Sequence, residues 1–133
     1  MLDSRKVDDP PSLAPPMSLS PRAARTFYNA ADALVPPGDG PGAGDVDLVP
    51  ALETRLTRWG PLRRLGFVSL LAALEWQPLA LGRRGFSRLP RAERARLLGR
   101  WERSRLAPRR AAARALRDLV VDLFRESQSR EGA

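Results

Sequence analysis

A chain of 133 residues, 43% hydrophobic and 6% aromatic, is long enough for one domain with a modest core and too short for a second of any size. It contains neither cysteine nor histidine, which excludes disulfides, thiolate nucleophiles, the commonest general base and the commonest transition-metal ligands. The formal net charge of +8 is carried almost wholly by arginine, with Lys6 the single lysine, and points to an acidic protein or nucleic acid as partner.

Ala, Leu, Arg and Glu dominate and β-branched residues are sparse, so the expected fold class is all-α. The expected architecture is a compact single-domain bundle of about five helices, residues 18–127. A flexible Pro-rich tail, residues 1–17, precedes it and a flexible C-terminus, residues 128–133, follows. Pro10, Pro11, Pro15 and Pro16 stand among polar residues that bury too little apolar surface to offset the entropy of ordering. The longest nearly apolar run, Leu65 to Leu74, falls far short of the roughly 20 residues of a membrane-spanning helix, and no span is expected.

Ser20 followed by Pro21 reads as a helix start, because the serine oxygen can accept from a free amide and proline at the first helical position loses nothing. The helix runs to about Val35, with Phe27, Ala30, Ala31 and Leu34 on one face and Pro36-Pro37 as its stop. The turn-rich stretch Pro36 to Gly44 carries Gly38, Gly40, Gly42 and Gly44, expected to supply backbone angles that other residues avoid. Asp45 or Asp47 then caps a second helix through about Trp59, and Gly60-Pro61 ends it. A third helix, Leu62 to Trp76, has Ser69 as its one polar residue between Arg64 and Glu75, and is expected to be covered on nearly all sides. In the loop from Pro78 to Pro90, Phe86 and Leu89 read as anchors into the core. A fourth helix, about Pro90 to Arg105, turns Leu97, Leu98 and Trp101 inward and Arg91, Arg94 and Arg100 elsewhere. A fifth, from Pro108 to about Glu126, sets the stripe Leu116, Leu119, Val120, Leu123 and Phe124 opposite Arg110, Arg114 and Arg117.

Chemistry is thinly represented. The Pro36 to Gly44 loop precedes a helix, but no strand leads into it and no Gly-Lys-Ser/Thr follows. Pro41 removes an amide donor, and Asp39, Asp45 and Asp47 would repel a phosphate. Those aspartates lack the spacing of a calcium loop. The arginine face of the fifth helix could meet nucleic acid, yet Glu102, Asp118, Asp122 and Glu126 lie nearby, and no helix-turn-helix or stacking-aromatic signature accompanies it. No catalytic, cofactor-binding or metal-ligating residue is assigned. Trp101 reads as core, whereas Trp59 and Trp76, beside Gly60-Pro61 and Gln77-Pro78, are equally suited to burial or to a partner.

The segment Ala31 to Gly40, Ala-Asp-Ala-Leu-Val-Pro-Pro-Gly-Asp-Gly, and the segment Phe86-Ser87-Arg88-Leu89-Pro90, set before a C-terminal amphipathic helix, resemble the gluconate 2-dehydrogenase subunit 3 family over about residues 18–125. The resemblance implies a helical, non-catalytic subunit that stabilises or helps mature a large FAD-containing oxidoreductase of the glucose-methanol-choline (GMC) type, with an electron-accepting cytochrome as a further candidate component. FAD is expected in the partner and no cofactor in this chain. Ordered loops carry recognition more often than helix interiors. The candidate contacts are therefore Pro36, Pro37, Asp39 and Pro41 in the first loop and Arg83, Arg84 and Phe86 in the second, with Trp59 and Trp76. Many members carry a twin-arginine export signal. None is read in Arg5-Lys6-Val7-Asp8-Asp9, so the expectation is a cytoplasmic complex, or a periplasmic one exported by its partner. The alternative is a stand-alone basic helical module for nucleic acid or an acidic protein.

Overall fold

The computed structural model describes residues 18–132; the expected N-terminal tail, residues 1–17, lies outside the described residues. Within them the chain is all-α: α1 (Pro21–Leu34), α2 (Val49–Thr57), α3 (Pro61–Ala80), α4 (Arg91–Glu102) and α5 (Ala107–Gly132), with 3-10 turns at Ala43–Asp45 and Phe86–Arg88 and no strand.

Helix α1 is the hub. The Ser20 Oγ accepts from the Ala23 amide at 3.1 Å, Pro21 opens the helix, and the chain leaves it at Val35 ahead of Pro36. Phe27, Ala30, Ala31 and Ala33 are buried, and the small residues let neighbours approach closely. α1 packs on every other α-helix and on both 3-10 turns. Burying Phe27 alone contributes about 2 to 3 kcal/mol, and its ring meets Phe67 of α3 at 6.3 Å.

The loop after α1 is fixed by close approach. A Cβ on Gly42 would come within 2.6 Å of the Val35 carbonyl oxygen, and one on Gly44 would overlap the Asp32 carboxylate. Around Gly38 and Gly40 there is open space, so the expectation that all four glycines serve unusual backbone angles gives way to two that serve packing. Asp45 accepts from the Gly42 amide at 2.8 Å and closes the first 3-10 turn. Asp47 accepts from the Val49 amide at 3.1 Å, so α2 begins later than either aspartate and buries Leu52 and Leu56.

Helix α3 overruns its expected end at Trp76. Pro78 lies within it, its ring accommodated in the last turn, and the helix closes only at Gly82, where φ is +78°. The Gly82 amide donates to the Leu79 carbonyl at 3.0 Å and the Arg83 amide to the Pro78 carbonyl at 2.9 Å, the paired bonds of a Schellman ending. The expectation that α3 is covered all round is also corrected: it buries Phe67, Leu71, Leu74 and Pro78 against α1 and the Phe86–Arg88 turn, and leaves its other side open.

Helix α4 buries Leu97, Leu98 and Trp101 as expected, but Arg94 turns inward with them. Its guanidinium donates to the Leu89 carbonyl at 3.0 Å, the Asn29 carbonyl at 2.6 Å and Asp32 Oδ2 at 3.4 Å. Arg91 clamps the same carboxylate with two bonds of 2.9 Å. A periodicity reading sends arginine outward; here α1 supplies a carbonyl and a carboxylate, and the segment before α4 a second carbonyl, that let a guanidinium stay inside. Helix α5 buries Ala113, Leu116, Leu119, Val120 and Leu123. It continues past Glu126 to Gly132, because no glycine or proline stands between Pro108 and Gly132 to stop it.

Candidate partner-binding surface

The open side of α3 is a second apolar stripe. Leu62, Leu65, Ser69, Ala72, Trp76 and Leu79 recur at spacings of three and four residues and are all exposed, Leu62 by 84%, Leu65 by 63% and Trp76 by 53%. At 100° and 1.5 Å per residue this stripe lies on nearly the opposite face from the buried one and is about 26 Å long. From Leu65 to Ala80 the one charged residue is Glu75, and it turns inward. Spacings of this kind form the seam along which one helix packs on another.

Glu75 explains how the next loop is held. Its carboxylate accepts from Thr26 Oγ1 at 2.8 Å, Ser87 Oγ at 2.7 Å and the Ser87 amide at 3.2 Å. Burial pushes this carboxyl up, but the hydrogen bonds from Ser87 and Thr26 and the charge of Arg25 outweigh burial and hold it below the ordinary carboxylate value. A Cβ on Gly85 would stand 2.6 Å from Glu75 Oε2, so a larger residue here must displace a carboxylate that Thr26 and Ser87 hold.

The candidate contact residues stand in different surroundings. Pro36, Pro37, Asp39 and Pro41 are exposed in the loop leaving the C-terminal end of α1. Trp76 and Arg84 gather at the other end of α1, beside Arg22 and Arg25, so the two loops do not form one surface. Trp59 is half-buried, edge-on to Phe67 at 5.8 Å and roofed by the Arg63 guanidinium at 3.8 Å. Arg83 forms an ion pair with Glu93. Phe86 is corrected: it is fully buried, as its reading as a core anchor requires, because Glu75 fixes Ser87 from above and turns the ring under α1. Comparison with protein-family models, with curated proteins and with solved structures finds no match.

Sequence reasoning passed over Leu62, Leu65 and Leu79 because the two stripes of α3 interleave into one continuous apolar run. The signal was there as two separate three-and-four series, one through Phe67 and Leu71 and one through Leu65 and Trp76. Arg22, Arg25 and Arg88 were also missed. With Arg84 they rim a cleft of about 250 Å³, walled by Trp76 and Leu79 and floored by Glu75. On α5, by contrast, the arginine face is partly neutralised: Arg117 binds Glu102 at 3.1 Å, and Arg110 donates to the Ser104 carbonyl at 2.7 Å. The Arg117 guanidinium is held more firmly charged than usual by its hydrogen bonds to Glu102. Among the described residues no group of three or more metal-ligand side chains gathers, and no helix is long and apolar enough to cross a membrane.

Proposed function

We propose that this chain is a non-catalytic accessory subunit that docks through the open face of α3 on a large FAD-dependent, GMC-type oxidoreductase and stabilises it or helps it mature. The partner oxidises a sugar, an alcohol or a related substrate. The observation that carries the reading is the uncharged stripe from Leu62 to Leu79, since an exposed apolar seam of this length is what half of an obligate interface looks like. The identity of the partner rests on the resemblance of Ala31 to Gly40 and Phe86 to Pro90 to the gluconate 2-dehydrogenase subunit 3 family, and FAD belongs to that partner. The alternative, a module for nucleic acid, draws less support because two of the three arginines of the α5 face, Arg117 and Arg110, are engaged by Glu102 and Ser104.

The test is co-expression of the tagged chain with a GMC-type flavoprotein encoded beside it, followed by co-purification and a visible absorption spectrum. A yellow complex of fixed stoichiometry is expected. Recovery of the chain alone as a monomer, with the flavoprotein folded and active without it, would overturn the proposal.

A further inference from the structure

The α3 stripe does not end in open solvent. At Trp76 and Leu79 it runs into the cleft rimmed by Arg22, Arg25, Arg84 and Arg88, and these two residues belong to both features. The four arginines share the cleft with one carboxylate, Glu75, whose oxygens are already taken by Thr26 and Ser87. Among the described residues Arg84 and Arg88 make no ion pair, and Arg22 rests over the Trp76 ring at 5.8 Å. Cationic forks gathered round one cleft without an ion pair of their own, next to an apolar wall, form a receptor for an anion attached to something apolar.

We infer that the cleft is a carboxylate-binding site, and that the segment docking along α3 is an acidic amphipathic helix whose aspartate or glutamate enters between Arg22 and Arg84. This rests on the reading that α3 is a docking face, and not on the identity of the partner. Charge complementarity selects the occupant. A second copy of this chain, itself at +8, would bring arginines to arginines: Arg84 onto Arg84 in a parallel pairing, Arg84 onto Arg63 and Arg64 in an antiparallel one. A nucleic-acid strand needs a track of cations along its backbone, whereas these four surround one spot and the path away from it is apolar. Inorganic phosphate can meet the same guanidiniums, but it carries no apolar surface to cover Trp76 and Leu79 in the cleft wall. The arginines thus set the direction and register of the docked helix, and the stripe supplies its affinity.

The probes are two fluorescein-labelled helical peptides with leucines in a three-and-four stripe, one ending in two glutamates and the other in two glutamines. Anisotropy titration of the full chain in low salt is expected to show the glutamate peptide binding about tenfold tighter. That preference should be lost in the R22E/R84E variant and reduced in Arg84→Gln, both checked for native helix content by circular dichroism. Equal binding of the two peptides, or a preference that survives in R22E/R84E, would overturn the inference. So would tighter binding of inorganic phosphate or of a short single-stranded DNA at the same arginines. The two proposals fail separately: peptide discrimination without flavoprotein co-purification upholds the cleft and removes the flavoprotein, while co-purification unaffected by R22E/R84E removes the cleft alone.

Discussion

Replacing Asp32 by alanine tests the least expected packing in the molecule, the carboxylate shared by Arg91 and Arg94. The better hydrogen-bond geometry belongs to Arg91, at 2.9 Å twice, against 3.4 Å for Arg94. Burial reverses that order of importance: Arg91 has 47% of its side chain exposed, whereas Arg94 has 9% and Asp32 11%. Water replaces Asp32 at Arg91 with little loss, but Arg94 would be left as a buried cation facing only neutral oxygens. Breaking a buried pair by removing one partner costs about 3 to 5 kcal/mol. The carbonyls of Asn29 and Leu89, at 2.6 and 3.0 Å, stay on Arg94 and place Asp32→Ala at the lower end, about 3 kcal/mol. For a chain of this size that lowers the melting temperature by about 10 to 15 °C. Urea unfolding of Asp32→Ala, Arg91→Ala and Arg94→Met reads it, with the double variant of Asp32 and Arg94 giving the coupling. A loss below about 1 kcal/mol, or one no greater than that of Arg91→Ala, would refute the reasoning, since solvent and not Asp32 would then be screening Arg94.

Leu65→Glu, on the open face of α3, is expected to change stability by less than about 0.5 kcal/mol while abolishing co-purification with the partner; a variant that unfolds, or one that still co-purifies, contradicts the assignment of this face. Gly85→Ala forces a Cβ onto the Glu75 carboxylate and should cost about 1 to 3 kcal/mol, whereas Gly38→Ala, in open space, should be neutral by thermal melting. Glu75 adds a pH dependence whose sign follows from its depressed folded-state value. Its contribution is fully present above the ordinary carboxylate value of 4.5 and is lost as pH falls through the lower folded one. The gap in urea midpoint between the native chain and Glu75→Gln should therefore shrink from pH 7 to pH 3, and a gap that stays constant would show that the charge of Glu75 is not what its hydrogen bonds hold.

The frame of the fold was legible in the sequence where local chemistry and packing agree. Ser20-Pro21 starts α1, Pro36 stops it, and the apolar stripes of α1 and α5 face the core as their periodicity demands. Legibility failed where a residue answers to something distant. Pro78 reads as a helix stop, yet it lies in the last turn of α3 and the helix closes beyond it, at Gly82. Arg94 reads as exterior, and its burial depends on Asn29 and Asp32, more than 60 residues away on α1, together with the Leu89 carbonyl. On the surface, the exposed proline loop was the conspicuous candidate because glycine and proline announce themselves in a sequence. The α3 seam was hidden because an apolar helix looks the same whether its second face meets its own core or another molecule's. The arginine cleft could not be read at all, since its rim comes from α1 and from the loop after Gly82, segments joined only by the fold.

The three tryptophans stand in three different surroundings, and this makes the chain its own optical reporter. Trp101 is buried with its indole nitrogen donating to Gln77, Trp59 is roofed by Arg63, and Trp76 looks onto solvent at the mouth of the cleft. Emission from Trp76 should move to shorter wavelength when a helix covers α3, whereas emission from Trp101 should move to longer wavelength when the core opens. Docking and unfolding therefore displace the spectrum in opposite directions, so a single unlabelled sample can tell a chain whose α3 face is covered from one that has lost its fold.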